Sequence, residues 1–469
     1  MYRLALLVGL LVAVVAVALF ALLRGDDSPD FGAAVVPGDP FAYAPGSDDE
    51  FVARATAGHS HVLYEKSPGG VLATARRVAR WRAEIEETAG DNDLDPDVLE
   101  AMVFLESAGY PDARASDDLE GAVGLTQILA GTATELLGMR VDVKESERLT
   151  RRILRAEDPA RVSRLERRRR LVDERFDPRA ALAGMGRYLA IARERFGRQE
   201  LAVVSYHMGI GNLESVLEAY GEDDASWARV YFDATPRDNR RTYELLAGFG
   251  DDSASYLWRV YAAREIMRLY REDRNELGRR AQLQTAKASA EEVLHPRPRT
   301  EIFEGPDDLE EAYASGELRP FPNQPAKLGL RRDRDMGELA KRLDAEPELY
   351  RGLRPEAYAL AVYLAAGVRE LAHTRAPLIV TSTVRDLEYQ RLLVRRNPFA
   401  TDAYSLHTSG FAFDVRRRYV SRAQAVAFQY MLDRLQSLNL IAWVREVGAI
   451  HITVSSEARV LVPPSRDLG

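Results

Sequence analysis

Two groups of residues in this chain have the types and spacing that catalysis requires. The first centres on one carboxyl, Glu106. Val98, Ala101, Met102 and Leu105 precede it at i, i+3, i+4 and i+7 and mark the apolar face of a helix. Glu106 falls at the edge of that face, with Met102 and Val103 one turn back. A carboxyl so placed is partly desolvated, which favours its neutral form and suits it to general acid catalysis. Ser107, Gly109 and Pro111 then end the helix and open a loop. Gly121-Ala122-Val123-Gly124-Leu125-Thr126-Gln127-Ile128 follows, with two glycines that let backbone approach a ligand and an amide side chain able to bind sugar groups. Read without its surroundings, Glu106 is a surface glutamate.

The second group is His407, Asp414 and His451, the last within an apolar strand-like run. Two imidazoles and one carboxylate leave a fourth position open for water, the arrangement a catalytic zinc requires. His59, His61, His295 and His373 have no comparable context and read as surface or packing residues.

The elements that must position these residues fall into two folded regions. Asp95-Pro96-Asp97 reads as a helix start, with an N-cap, a proline at the first helical position and an acid in the first turn. The pattern stays helical from Thr74 to about Glu272. Pro296, Pro298, Pro306, Pro320, Pro322 and Pro325 then place a linker at 275–335. Beyond it come a helix over Pro355 to His373, a strand at Leu378 to Ser382, and a helix from Ser421 to Leu438 opened by a Ser421…Gln424 capping box. Strands at Ile441 to Arg445 and Ile450 to Val454 complete a mixed α and β region at 336–469. The arginine run Arg167 to Arg170 reads as a solvated helix face.

Leu4 to Leu23 is an unbroken apolar run, about the length that spans a bilayer core. Arg3 before it and Asp26-Asp27 after it favour an N-terminus inside and the remainder exported. Residues 1–24 therefore read as an uncleaved signal anchor, the rival being a signal peptide cut near Ala16-Val17-Ala18. Residues 25–73, rich in Asp, Gly, Pro and Ser, read as a spacer. With 469 residues the chain is too long for one core, and its net charge of −8 argues against a nucleic-acid partner. The absence of Cys excludes a disulfide framework, a thiol nucleophile and a lipoprotein cysteine.

The segment around Glu106 resembles the soluble lytic transglycosylase family, whose pattern is an E-S pair, a proline, a serine, then G-A-x-G-L-M-Q-I and T-A. Glu106-Ser107, Pro111, Ser116, Gly121-Ala122, Gly124-Leu125, Gln127-Ile128 and Thr132-Ala133 match it in order. A later family block, a G-x-x-Y-L helix followed by A-x-Y-N-x-G, is similar to Gly184 to Leu189 and Ser205-Tyr206-His207-Met208-Gly209, with Met185 breaking its first half. Thr126, Ala130 and His207 stand where the family usually has methionine, proline and asparagine, and Arg140 to Pro178 resembles an insertion lining or capping the groove. The resemblance implies a mainly helical, lysozyme-like domain at 74–274. It also implies a substrate, the peptidoglycan glycan strand, and a role for Glu106 as acid and then base. The muramic acetamido group replaces the second carboxylate, and a 1,6-anhydro end is formed. Ser107, Gln127, Tyr206 and His207 are then the substrate-positioning residues.

In the C-terminal region, VTSTVRDLEYQRLL and SLHTSGFAFDV resemble the zinc D-Ala-D-Ala carboxypeptidase and endopeptidase family. Ser382, Arg385, His407, Gly410, Asp414 and His451 match its order. The resemblance implies zinc held by His407, Asp414 and His451, with Arg385 steadying the developing oxyanion on a stem peptide. Family members carry a glutamate base three positions before the last ligand; here that position is Gly448, and Glu446 is the nearest replacement if a turn brings it in. The expectation is thus a multidomain enzyme of one polymer: an anchor, a helical glycan-cleaving domain and an α+β metallopeptidase-like domain. The alternatives are a wall-binding scaffold with degenerate sites and a lysozyme-type hydrolase.

Overall fold

The computed structural model describes residues 39–222, 224–286, 290–321, 325–396 and 404–462. The apolar run expected as an anchor lies outside them, and among the described residues no helix is long and apolar enough to cross a membrane. The chain is mainly helical, with a small sheet region towards its C-terminal end.

Order begins earlier than the composition suggests. Within 25–73, read as a spacer, α1 (Asp48–Gly58) and the helices His61–Lys66 and Val71–Val78 bury Phe51, Ala55, Leu63, Tyr64 and Val71. Short helices broken by Ser60, Pro68 and two glycines leave too few turns for a sustained period to show in sequence.

The helix carrying Glu106 is α2 (Pro96–Ser107). The Asp95 side chain accepts a hydrogen bond from the Asp97 N–H at 2.8 Å, and Pro96 occupies the first helical position. Seven consecutive residues, Val98 to Phe104, are buried, so α2 is a central helix and not a half-exposed one. One of the seven is Glu100, fully buried and paired with Arg82 at 3.1 Å and with Arg271. Against α2 pack the helices Val71–Val78 and Arg82–Asn92 and α5 (Tyr256–Glu272), which runs along it and brings Tyr256 to the level of Glu106; α3 (Pro178–Phe196) packs on Arg82–Asn92, and α4 (Gln199–Met208) on α3 and α5.

The described residues of the stretch read as a linker are folded too. Within 275–335 the chain continues the helix Arg274–Gln284, then forms Glu291–Leu294, Pro306–Ala314 and the first strand of the sheet. Prolines mislead here because Pro306 sits at a helix start, where a missing N–H costs nothing.

The five-stranded sheet contains β1 (Leu330–Arg332), β2 (Leu378–Ser382), β3 (Ala412–Arg416), β4 (Ile441–Arg445) and β5 (Ala449–Val454), in the order β1-β2-β3-β5-β4. Only the β1–β2 pair is parallel. Helices α6 (Pro355–Leu371) and α7 (Arg422–Ser437) pack together against it. One continuous apolar core joins the helical and sheet regions. At their junction the buried Arg434 of α7 donates to the carbonyls of Phe232 and Phe41, both at 2.7 Å, and Tyr363 of α6 donates to Asp39. A Cβ on Gly58 would lie 2.0 Å from the Gln436 carbonyl oxygen, so α1 and α7 meet backbone to backbone.

Candidate active sites

Glu106 occupies the last turn of α2. The helix ends because Ala108 and Gly109 both adopt left-handed conformations, and a Cβ on Gly109 would come within 2.8 Å of the Arg77–Val78 backbone. Ser107 is buried, with its hydroxyl donating to the Val103 carbonyl and accepting from the Gly109 N–H, both at 3.2 Å. It closes the helix end, a job distinct from the substrate contact expected of it.

The Glu106 carboxyl is half-buried and accepts a hydrogen bond from the Tyr256 hydroxyl at 2.6 Å. Burial raises its proton affinity, and this outweighs the Tyr256 hydrogen bond and the positive potential of His207, which act in the other direction. The His207 ring stacks on Tyr256 at 4.8 Å and 13°, and its Nε2 lies 3.2 Å from Asp252 Oδ1. Burial first, and then the Glu106 charge, push the Tyr256 and Tyr206 hydroxyls well above their usual range, so both remain donors.

Tyr206 donates to the Thr126 carbonyl at 2.7 Å and packs edge-on to Tyr188 at 5.1 Å. It thereby ties the helix α4 to the loop before it in sequence. Gln127, at a φ of +52°, turns its amide back to donate to the carbonyls of Gly124 at 2.8 Å and Ala113 at 3.3 Å. Asp117, Asp118 and Glu120 are exposed on the same loop.

What fixes that loop is the stretch read as an insertion. Helices Val143–Leu154 and Pro159–Val172 pack on each other and deliver Asp173 and Arg175, a fully buried ion pair at 2.9 Å. The Arg175 guanidinium also donates to the carbonyls of Leu119 at 2.8 Å and Gly121 at 3.1 Å. Gly124 passes so close that a Cβ there would sit 1.9 Å from the Arg175 carbonyl oxygen, at a φ of +82° that already favours glycine. Arg169 departs from the solvated face expected of its run: it is buried, paired with Asp112 and stacked 3.8 Å over the Phe176 ring.

The sheet assembles the second constellation by register. Ser382 of β2 pairs with Asp414 of β3, and Asp414 pairs with His451 of β5, so three polar side chains form a row across the strands. His407, on the short turn Leu406–Ser409, completes it. Its Nε2 lies 3.2 Å from Asp414 Oδ1, and His451 Nδ1 lies 2.8 Å from the same oxygen. The other nitrogen of each ring is held from outside: His407 Nδ1 is 2.7 Å from the Thr383 carbonyl and His451 Nε2 is 3.1 Å from Glu291.

Burial and then the Arg385 charge lower His407 to about 4, which keeps it neutral. Burial acts in the same sense on His451, but the hydrogen bonds it donates to Asp414 and Glu291 overcome it and raise that ring to about 10. Despite burial, the two histidines hold Asp414 well below the carboxylate range. Arg385 donates to Ser382 Oγ at 2.7 Å and approaches Asp414 Oδ2 at 3.5 Å. Glu446 lies exposed at the β4–β5 turn, where it feels the charges of Asp414, His451 and Arg385.

One donor atom from each of His407, Asp414 and His451 lies within 4.8 Å of the others, and all three residues are buried. An ionised carboxylate and a neutral imidazole suit a divalent cation of the zinc type, and His451 would join them by giving up its Nδ1 proton as the cation bound. Tyr256 and Glu291 are contacts of these sites that motif spacing misses, because each arrives from a distant helix with no local signature.

No protein-family model matches the chain. Over 164 residues, 33% of its length, it is 25% identical to membrane-bound lytic murein transglycosylase F 2 of Alkalilimnicola ehrlichii. The likeness is to a lytic transglycosylase. The chain spans 28% of the length of that relative, and the match covers a minority of both proteins.

Proposed function

We propose that this protein is a peptidoglycan lytic transglycosylase in which Glu106 is the catalytic acid and base. The observation that carries the reading is the Glu106 carboxyl itself, its proton affinity raised by burial at a helix end and its position aligned by the Tyr256 hydroxyl. The likeness to a named lytic murein transglycosylase supports the same substrate class.

In this reading Glu106 protonates the glycosidic oxygen between N-acetylmuramic acid and N-acetylglucosamine as the C1–O bond breaks. The neighbouring acetamido oxygen stabilises the electron-poor C1 in place of a second carboxylate. Glu106, now ionised, takes the proton of the muramic 6-hydroxyl as that oxygen bonds to C1, closing a 1,6-anhydro ring. Tyr256 supports the ionised half of this cycle, since its hydrogen bond favours the carboxylate. Tyr206, Gln127 and His207 frame the groove: the first two hold the loop, while His207, in place of the usual asparagine, presents a ring backed by Asp252 to the sugar. The run Leu4 to Leu23 tethers the enzyme to the membrane with its folded part exported.

Purified glycan strands distinguish the chemistry. A transglycosylase shortens them without creating new reducing ends, whereas a lysozyme-type hydrolase creates one per cut. Stoichiometric reducing ends would replace this proposal with hydrolysis.

A second reading is favoured by the buried His407–Asp414–His451 cluster: a zinc site acting on stem peptides. Zinc bound there would supply a polarised water and a Lewis acid for an amide carbonyl. The chain's own contributions are His407 Nε2, Asp414 Oδ1 and His451 Nδ1 as ligands, Arg385 as the cation facing the carbonyl oxygen, and Glu446 as the carboxylate at the mouth.

A further inference from the structure

We propose that Glu291 is the positioning carboxylate of the His407–Asp414–His451 site, fixing the His451 ring so that its Nδ1 faces the bound cation; this rests on the zinc reading above. Glu291 belongs to a segment more than a hundred residues before the metal motif, within the stretch that its prolines mark as a linker. Its Oε1 lies 3.1 Å from His451 Nε2, while His451 Nδ1 faces Asp414 Oδ1 at 2.8 Å. The two nitrogens thus have separate partners on opposite sides of the ring.

The same plan holds His407, whose Nδ1 meets the Thr383 carbonyl while Nε2 faces inward. Metal-ligating imidazoles are ordinarily oriented by such an outer partner, which sets the tautomer and the ring plane. Position also decides against Glu291 as the base: it meets the nitrogen directed away from the ligand cluster, so a water on the cation would lie across the ring from it.

The backbone that carries Glu291 is anchored four residues on. Its helix turn leads into His295, whose Nε2 is 2.6 Å from the Val454 carbonyl and whose ring stacks on Phe411 at 3.9 Å. Tyr404 donates to the His295 carbonyl at 3.3 Å. The segment is therefore fastened to the end of β5, the strand that carries His451, which keeps the Glu291 backbone beside that ring.

The test is Zn2+ affinity, measured on the full-length protein in detergent by competition with a chromophoric chelator, with the Co2+ absorption spectrum as a second readout. Wild type is expected to bind one equivalent that His407→Ala loses. Glu291→Gln, of the same size, is expected to weaken Zn2+ binding about 10- to 100-fold and to alter the Co2+ spectrum. Glu291→Asp, which keeps the charge, is expected to recover part of the affinity. Wild-type affinity and spectrum in Glu291→Gln would overturn the role of Glu291 and leave the zinc reading standing. A loss that Glu291→Asp does not relieve would mark a packing role and overturn it as well. Absence of an equivalent sensitive to His407→Ala would overturn both.

Discussion

Glu106 gains its proton affinity from burial, and two neighbours pull against it, Tyr256 by hydrogen bonding and His207 by charge. Activity on glycan strands should therefore fall as pH rises through the elevated pKa of this carboxyl, because the acid form is the one that starts the proposed reaction. Tyr256→Phe removes the hydrogen bond that favours the carboxylate and keeps the ring under His207. We expect a lower rate and an alkaline limb displaced to higher pH, checked by a pH–rate profile of both proteins. Stability carries the same sign. A carboxyl whose folded pKa is raised contributes stability below its unfolded value of about 4.3, and that stability is lost as pH rises through the folded pKa. Glu106→Gln should accordingly melt higher than wild type at pH 7, with the difference closing near pH 4, as thermal scans at the two pH values would record. The half-buried place of Glu106 at a helix end was legible from Met102, Val103 and the break at Gly109. Tyr256 was not, because 150 residues separate it from Glu106 and only the packing of α5 along α2 brings them together.

The loop Gly121 to Ile128 keeps its shape because the segment 140–178 clamps it. Arg175 and Asp173 have fully buried side chains, so removing one leaves the other an unpaired interior charge. Arg175→Met should cost roughly 3–5 kcal/mol and free the carbonyls of Leu119 and Gly121. Gly124→Ala should cost on the order of 2–4 kcal/mol, since its methyl group would overlap the Arg175 carbonyl at a left-handed φ. Chemical denaturation measures both losses. Sequence patterning locates the glycine, but not its reason: the partner backbone comes from the stretch read as an insertion lining or capping the groove. The C-terminal row Ser382–Asp414–His451 is a different case. Its strands are visible as apolar runs, while the register that aligns its side chains depends on pairing between segments far apart in sequence.

Across the whole molecule, the helical and sheet regions share a core and are stitched by Arg434, which spans to Phe232 and Phe41. Arg434→Ala would leave two buried carbonyls without that donor, at about 1–3 kcal/mol each. We expect it to lower the melting temperature of both regions together, read by calorimetry as one displaced transition. Two separated transitions, with only one displaced, would contradict the shared core. The two-region plan was legible in the switch from helical to strand-like periodicity. The tight connection was not, since prolines that begin helices and prolines that interrupt chains look alike until the hydrogen bonds around them are known.

The central claim is that Glu106 cuts glycan strands by intramolecular transfer. It is tested most directly by mass spectrometry of the muropeptides released from purified sacculi by the full-length protein, beside Glu106→Gln and His407→Ala. The account predicts 1,6-anhydromuropeptides from wild type and from His407→Ala, at least 100-fold fewer from Glu106→Gln, and shortened stem peptides that vanish with His407→Ala. A wild-type protein that binds sacculi but releases no anhydromuropeptide would contradict it and leave a wall-binding scaffold in its place.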